Sequence, residues 1–161
     1  MRRFLLLGLG VAVIALLAIQ LIPYGRDHTN PPVTGEPAWD SAATRETAVK
    51  ACFDCHSNET TWPWYSNIAP FSWRLQNHVD EGRAKLNFSQ WGTGEQEVDE
   101  IVDVVREGEM PPWDYLPLHP EARLSDAETA TFLDGLSRTF GVGESAGEGG
   151  EDGDGGEDGD D

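Results

Sequence analysis

Two cysteines and a histidine lie together near the middle of the chain, in the run Cys52-Phe53-Asp54-Cys55-His56. This C-x-x-C-H spacing is the signature of c-type haem attachment. On one turn of helix, each thiol can bond to a vinyl-derived carbon of the porphyrin, and the imidazole that follows can bind the iron. The sequence therefore predicts Cys52 and Cys55 as thioether anchors and His56 as the proximal iron ligand.

A C-x-x-C pair also occurs in thiol-disulfide oxidoreductases and in zinc sites. The first class has a βαβ surrounding, and a zinc site needs further ligands at suitable spacing. Neither pattern is visible in the sequence, and the chain of 161 residues has only these 2 cysteines. A haem-free dithiol oxidoreductase is the alternative, and a colourless but active protein would support it.

A methionine at position 110 lies in the run GEMPPW, residues 108–113. The two prolines restrict the backbone at Met110 and after it, which suits an axial ligand that must be held in place. Met110 is therefore the predicted sixth iron ligand. Two alternatives are open: Met110 fills a gap in the core, or His78, within an apolar helical stripe, binds the iron instead.

Hydrophobic residues recur at helical spacing in four stretches, and no strand shows convincing alternation, so the predicted fold is mostly α. The stretches are about 41–56, 70–85, 93–108 and 125–141. Asp40 or Ser41 is the predicted cap of the first helix, which would carry both cysteines on its final turn. Thr93 with Gln96, and Ser125 with Glu128, predict capping boxes at the starts of the third and fourth helices.

The sequence also predicts positions for three tryptophans and two further histidines. Trp62, Trp64 and Trp73 follow the C-x-x-C-H motif and are predicted to wall a haem pocket, or else to be ordinary core aromatics. His28 is predicted to be solvated in a linker, and His119, before a proline, is predicted at the surface.

The N-terminal 22 residues are predicted to be a membrane anchor. Residues 4–22 are apolar except for Gln20, and at ~1.5 Å per residue they can cross a hydrocarbon layer of ~30 Å. Arg2 and Arg3 come before them, so the positive-inside rule leaves the N-terminus in the cytoplasm. A cleaved signal peptide is the alternative. Either way the body lies outside the cytoplasm, and an uncleaved helix makes it a single-pass inner-membrane protein.

Two further segments are predicted to be irregular. Residues 23–39 are rich in proline and glycine and predict a flexible linker. Residues 142–161 predict a disordered acidic tail, because nine acidic and no basic residues lie between 144 and 161. The net charge of -18 argues against nucleic acid and against an anionic membrane surface as partners.

Between the linker and the tail, residues 40–141 form one predicted domain that resembles a small cytochrome c. The runs CFDCHSNET, WPWYSNIAP, LNFSQW and GEMPP resemble the bacterial haem-binding domain family of membrane-anchored, cytochrome c-like proteins. The resemblance covers roughly residues 40–140. It implies one covalent haem c on Cys52 and Cys55, His56 as proximal ligand, and Met110 where a cytochrome c offers its distal ligand.

The predicted function is that of an electron carrier rather than an enzyme. A membrane-tethered monohaem cytochrome would pass single electrons between membrane or periplasmic redox proteins. The alternative keeps the haem but leaves the sixth site open or weakly held, as in a haem sensor or a peroxidase-like protein. The sequence shows no clear distal His-Arg pair beside the methionine loop, which counts against a peroxidase. Binding of carbon monoxide to the reduced protein would separate the two classes.

Overall fold

A computed structural model describes residues 1–93, 96–98 and 100–142. Over these residues the chain is mostly helical, as predicted, and its one β-bridge joins Gly35 to Gln90. The helices are α1 (Arg2–Ile19), α2 (Ala42–Ala51), α3 (Phe53–His56), α4 (Phe71–Lys85), α5 (Ile101–Arg106) and α6 (Asp126–Phe140), with 3-10 turns at Trp64–Asn67 and Pro120–Ala122. The predicted acidic tail lies, apart from Val142, outside the described residues.

The hydrophobic core lies behind the C-x-x-C-H motif. It is built from α2, α3, α5, α6 and the loop that follows α4, and its buried side chains are Ala48, Phe53, Leu86, Phe88, Ile101, Val102, Val105, Phe132 and Leu136. Phe53, the residue after the first cysteine, stacks on Phe88 with ring centroids 5.5 Å apart. Burial of Phe53 holds the motif against the core and orients the turn that carries the cysteines.

The ends of α2 and α6 are capped as their sequences predict. The Ser41 hydroxyl accepts a hydrogen bond from the Thr44 amide at 3.2 Å. At α6, the Ser125 hydroxyl accepts from the Glu128 amide, and the Glu128 carboxylate accepts from the Ser125 amide, which completes the capping box. Gly141 ends the helix in the left-handed conformation, at φ 67°. Local hydrogen bonding therefore sets these boundaries.

The third predicted helix is shorter than its sequence suggests. It begins at Ile101, and not at a capping box of Thr93 and Gln96. The Gln96 side chain instead accepts a hydrogen bond from the Asn87 amide, at 2.8 Å. A tertiary contact thus takes the side chain that a local cap would need, and only the later part of the apolar pattern becomes helix.

Residues 23–39, predicted as a flexible linker, lie along the helical body. The Asn30 side chain donates to the Thr60 carbonyl at 2.9 Å, and the Asn58 side chain donates to the Pro32 carbonyl at 2.9 Å. These bonds use backbone carbonyls and side-chain amides, so they need no periodic apolar residues. For that reason composition alone predicted a flexible linker, whereas hydrogen bonds hold this segment against the helical body.

His28 is also held, although the sequence predicts a solvated residue. Its ring stacks on Trp62 with centroids 4.6 Å apart, and its Nε2 lies 3.3 Å from the Ser66 carbonyl. Both partners lie in the aromatic run after the C-x-x-C-H motif. They are far from His28 in the sequence, so no local pattern predicts these contacts.

Glu36 joins this segment to α2, and it leads to a pH-dependent prediction. Its carboxylate accepts from Arg45 Nε and Nη2, each at 2.7 Å. The bond from Arg45 lowers the pKa of Glu36. We expect Glu36→Gln to reduce the free energy of unfolding by about 0.5 kcal/mol near pH 7, a small loss because Arg45 is partly exposed.

The loss should disappear in acid, because the carboxylate stabilises the fold above its unfolded pKa and stops doing so as the pH falls through its lowered folded pKa. Denaturant titrations of both proteins in detergent, from about pH 7 to about pH 3, measure this difference. A difference that stays constant at low pH would contradict the assignment to the ion pair.

Candidate functional site

The two cysteines and His56 lie on one tight turn at the junction of α2 and α3. The prediction that a single helix carries them is corrected in one respect: α2 ends at Ala51, and Cys52 breaks the helix at φ -128°, ψ -36°. The His56 amide then donates to the Cys52 carbonyl at 2.8 Å, which closes the turn. The break lets Phe53 enter the core while both cysteines and His56 line the cavity on the other side.

The His56 ring is oriented by two backbone carbonyls at the end of α4. Its Nδ1 lies 3.0 Å from the Gly82 oxygen and 3.1 Å from the Leu86 oxygen. Since a carbonyl can only accept, Nδ1 carries the proton and Nε2 keeps its lone pair. Burial also lowers the pKa of His56, which favours the neutral ring. A neutral imidazole with its second nitrogen bonded to a carbonyl is the usual form of a metal-binding histidine.

Gly82 allows α4 to approach the motif closely enough for this contact. A Cβ atom at position 82 would lie 2.6 Å from the Cys55 carbonyl oxygen. The sequence predicted a helix over about 70–85, and α4 does end at Lys85, with Gly82 in its last turn. A glycine inside a helical pattern can indicate close packing against another segment, and Gly82 is such a glycine.

We therefore expect Gly82→Ala to lower the free energy of unfolding by about 1–3 kcal/mol, because the added methyl overlaps the backbone of Cys55. It should also reduce the haem content, since the carbonyl that orients His56 moves with α4. Urea unfolding in detergent and the haem-to-protein ratio measure the two effects. Gly10→Ala is the matched control, because nothing lies within 4 Å of a Cβ there. A Gly82→Ala protein as stable as that control would refute the steric account.

A cavity of about 420 Å³ lies beside α3 and contains the predicted site residues. Its lining includes Cys52, Cys55, His56, His78, Met110 and Trp113. A second cavity of about 380 Å³ adjoins it and shares Asp54, Cys55, Arg74, His78, Trp113, Asp114 and Tyr115. Together these cavities have the size and the mixed apolar and polar lining of a cofactor site.

Met110 reaches this cavity from the loop after α5. Its amide donates to the Val104 carbonyl at 3.1 Å, and the residue is 36% exposed. The structure thus brings Met110 and His56 to one cavity, although many residues of chain separate them. His78, the alternative ligand, is half-buried and lines the same cavity from α4.

Asp54, Tyr115 and His119 form a cluster that no motif in the sequence predicts. The Tyr115 hydroxyl donates to the Asp54 carboxylate at 2.8 Å. The His119 ring stacks on Tyr115 with centroids 3.7 Å apart, and its Nε2 lies 3.8 Å from that carboxylate. His119 was predicted at the surface, yet its side chain is only 18% exposed. The only local indication in the sequence is that Tyr115 and His119 are four residues apart, a spacing that can bring two rings into contact.

This cluster supports the motif from the side opposite the core. Burial, and then the Asp54 charge, raises the pKa of Tyr115 far above its usual value, so Tyr115 stays a hydrogen-bond donor. The other Asp54 oxygen accepts from the Thr61 amide at 2.9 Å. Asp54, between the two cysteines, is therefore held by the Tyr115 side chain and by the backbone of Thr61.

The tryptophans predicted to wall the pocket do not do so. Trp62 stacks on His28, Trp64 is 77% exposed, and neither these two nor Trp73 is among the residues that line the two cavities. Trp113 lines both instead. Tryptophans close to the motif in sequence face other parts of the molecule, while Trp113, which is distant in sequence, contributes to the lining of the site.

The electrostatics of the two cysteines argue against a redox dithiol. Burial raises the pKa of the Cys52 thiol to about 12 and that of Cys55 to about 11. Dithiol oxidoreductases need a thiolate, which they obtain by lowering this pKa. In the described part of the chain, no group of three or more His, Cys, Asp and Glu side chains is arranged to hold a bare metal ion.

Comparison with known proteins adds one match. A family model described as a haem-binding domain covers residues 14–138. The matched region begins within α1 and includes the segment 23–39, the C-x-x-C-H motif and Met110. No curated protein and no solved structure matches the chain.

Proposed function

The chain belongs to the haem-binding domain family, and on that premise we propose that the cavity beside α3 holds one haem c. The proposed bonds are thioethers to Cys52 and Cys55, with His56 as the proximal iron ligand. One observation carries this proposal: both cysteines share the cavity with His56, whose Nδ1 is bonded to Gly82 and Leu86 so that Nε2 is left for iron.

Met110 is the proposed sixth ligand. The Nδ1 edge of His56 faces α4, and in an imidazole the nitrogen that binds iron lies on the other edge. His78 lies one helical turn before Gly82 on α4, so it comes from the element that holds the proximal histidine. Met110 comes from a separate loop that lines the same cavity, and it is better placed to approach from the second face.

The proposed role is single-electron transfer between membrane or periplasmic redox proteins, without catalysis of its own. A bound haem would supply a one-electron centre, and the residues around it would tune and expose that centre. Phe71, Leu75 and Val79 give the adjoining cavity an apolar wall, which favours the less charged reduced state. Trp113 is 81% exposed at the cavity, so a partner can approach this edge.

An uncleaved α1 is the proposed anchor of the protein, with the domain outside the cytoplasm. The helix Arg2–Ile19 is long and apolar enough to cross a membrane, and none of it is buried. A signal sequence would pass the same test. The anchor is favoured because Gln20, directly after α1, exchanges two hydrogen bonds with the Ala69 backbone, and removal of the N-terminal segment would lose them.

Absorption spectra of the full-length protein, produced with a haem-attachment system, test the proposed function. Oxidised and reduced samples should show a Soret band and a sharp α band, together with the weak near-infrared band of methionine bound to ferric iron. A protein that carries no haem would refute the proposal. Haem without the methionine band would refute the assignment of Met110.

A haem sensor or a peroxidase-like protein is the second candidate, because Met110 is partly exposed and two polar residues of α4 face the cavity. These are Arg74 and His78, one helical turn apart. Arg74 is engaged, since its Nε donates to Asp114 at 2.8 Å. Rapid binding of carbon monoxide to the reduced wild-type protein would favour this candidate over the electron carrier.

A further inference from the structure

Outside α1, three exposed apolar side chains lie in the short segment that leads from α3 into the start of α4. Trp64 is 77% exposed, Phe71 56% and Ile68 41%. The Trp64 ring packs edge-on against Tyr65, with centroids 5.7 Å apart, and Tyr65 packs against Phe71 at 6.3 Å. We call Trp64, Ile68 and Phe71 the 64–71 surface. Large apolar side chains exposed together in this way mark a site of contact with a membrane or with another molecule.

This surface is joined directly to the end of α1. The Gln20 Nε2 donates to the Ala69 carbonyl at 2.9 Å, and the Ala69 amide donates to Gln20 Oε1 at 3.0 Å. Arg26 holds the same Gln20 oxygen from its Nη2, at 3.1 Å. Ala69 lies within the 64–71 segment, so the surface is placed at the level where the apolar helix ends.

A second contact holds the chain that follows α1 beside the 64–71 surface. Gly25 is buried at φ 74°, and a Cβ at this position would lie 2.1 Å from the Ser72 carbonyl oxygen. Only glycine fits both the backbone conformation and the space. The chain that leaves α1 is therefore packed against the first turn of α4, and the position of the 64–71 surface relative to α1 is set by packing.

The surface is also neutral in a strongly acidic protein. Residues 60–73 contain no Asp, Glu, Lys or Arg, whereas the whole chain has a net charge of -18. Tryptophan and tyrosine are enriched where proteins meet lipid headgroups, because their rings are apolar and carry a polar group. Burial of apolar area, and not attraction to anionic lipids, is the interaction that this composition supports.

We propose that Trp64, Ile68 and Phe71 lie in the headgroup region of the membrane that α1 crosses. This inference rests on the proposed anchoring by α1 and goes beyond it, since it orients the domain on the lipid surface. Leu21 and Ile22 extend the apolar run beyond α1 and are 85% and 47% exposed. Phe71 and Tyr65 also line the cavity of about 380 Å³, so the proposed site lies close to the bilayer.

Photo-crosslinking in nanodiscs tests this orientation with the full chain. The haem-loaded protein is placed in zwitterionic phosphatidylcholine discs that contain a phospholipid with a diazirine near its headgroup. After illumination, mass spectrometry maps the lipid adducts onto the chain. We expect adducts on α1 and on residues 60–73, and at least five-fold fewer on α6, the internal reference.

The two proposals fail in different ways. Adducts on α1 with none on residues 60–73 would overturn the orientation and leave the anchor standing. A mature chain that lacks α1, or an α1 without adducts, would overturn the anchoring and with it this inference.

Gln20→Ala tests the contact that places the surface. Loss of both bonds to Ala69 should lower the yield of adducts on residues 60–73 several-fold, while the yield on α1 and the haem spectrum stay unchanged. Thr47→Ala is the control, because the Thr47 hydroxyl bonds to the Ala43 carbonyl within α2 and not to this contact. Equal yields for Gln20→Ala and the wild type would show that these bonds do not hold the surface at the membrane.

Discussion

Replacement of both Cys52 and Cys55 by serine is expected to abolish covalent haem attachment completely. In the proposed site each thiol would supply one thioether bond, and the chain has no other cysteine to replace it. Haem staining after a denaturing gel, and the mass of the intact chain, measure the loss. Each single replacement should retain one bond, with an α band shifted from that of the wild type because one vinyl group stays unreacted.

Loss of attachment must be separated from loss of the fold. Ser125→Ala removes the cap of α6, which should cost about 1 kcal/mol of stability without touching the cavity. This variant should keep all its covalent haem. A double serine variant that still carries haem through a denaturing gel would contradict the thioether assignment, and a Ser125→Ala protein without haem would point to stability as the cause.

Replacement of Met110 by alanine is expected to lower the reduction potential by on the order of 0.1 V, a fraction of the ~0.8 V range that axial ligands span. Thioether ligation favours ferrous iron, so its loss should favour the oxidised state. The near-infrared methionine band should vanish, and the reduced protein should bind carbon monoxide. Redox titration and reduced spectra with and without carbon monoxide measure these changes.

His78→Ala is the matched variant, because His78 lines the same cavity. It should keep the near-infrared band and a potential close to that of the wild type. If His78→Ala instead opens the iron to carbon monoxide while Met110→Ala leaves the spectrum unchanged, the sixth ligand is His78. If neither replacement changes the spectrum or the potential, the sixth site is open, and the sensor or peroxidase-like function is then favoured.

The sequence was most informative where the chemistry depends on neighbours in the chain. The C-x-x-C-H spacing indicated the haem without a structure, because both proposed thioethers and the proposed proximal ligand come from one turn. The box of Ser125 and Glu128 was found correctly for the same reason, since a cap is a bond across three residues. The similar pattern at Thr93 failed because Gln96 bonds to Asn87.

Contacts between distant residues were not predictable in this way. No sequence pattern shows that the carbonyls of Gly82 and Leu86 hold His56, since any residue can offer a carbonyl. The irregular composition of residues 23–39 suggested a loose tether, yet its bonds to Thr60 and Asn58 are made by backbone and amide groups. Trp113, and not the tryptophans nearest the motif, lines the cavity for a similar reason: side-chain direction follows from the packing of the whole domain.

By itself, the sequence determined which groups are available for chemistry: two thiols and an imidazole at the spacing of haem attachment, a methionine followed by two prolines, and an apolar helix. These are covalent or local properties, and they do not depend on the rest of the fold. The tertiary structure alone decided which nitrogen of His56 is left for a ligand, that Met110 shares its cavity, and that Gln20 ties the helix end to Ala69. Each of these depends on groups far apart in the chain, which come within hydrogen-bonding or packing distance only when the helices assemble around their common core.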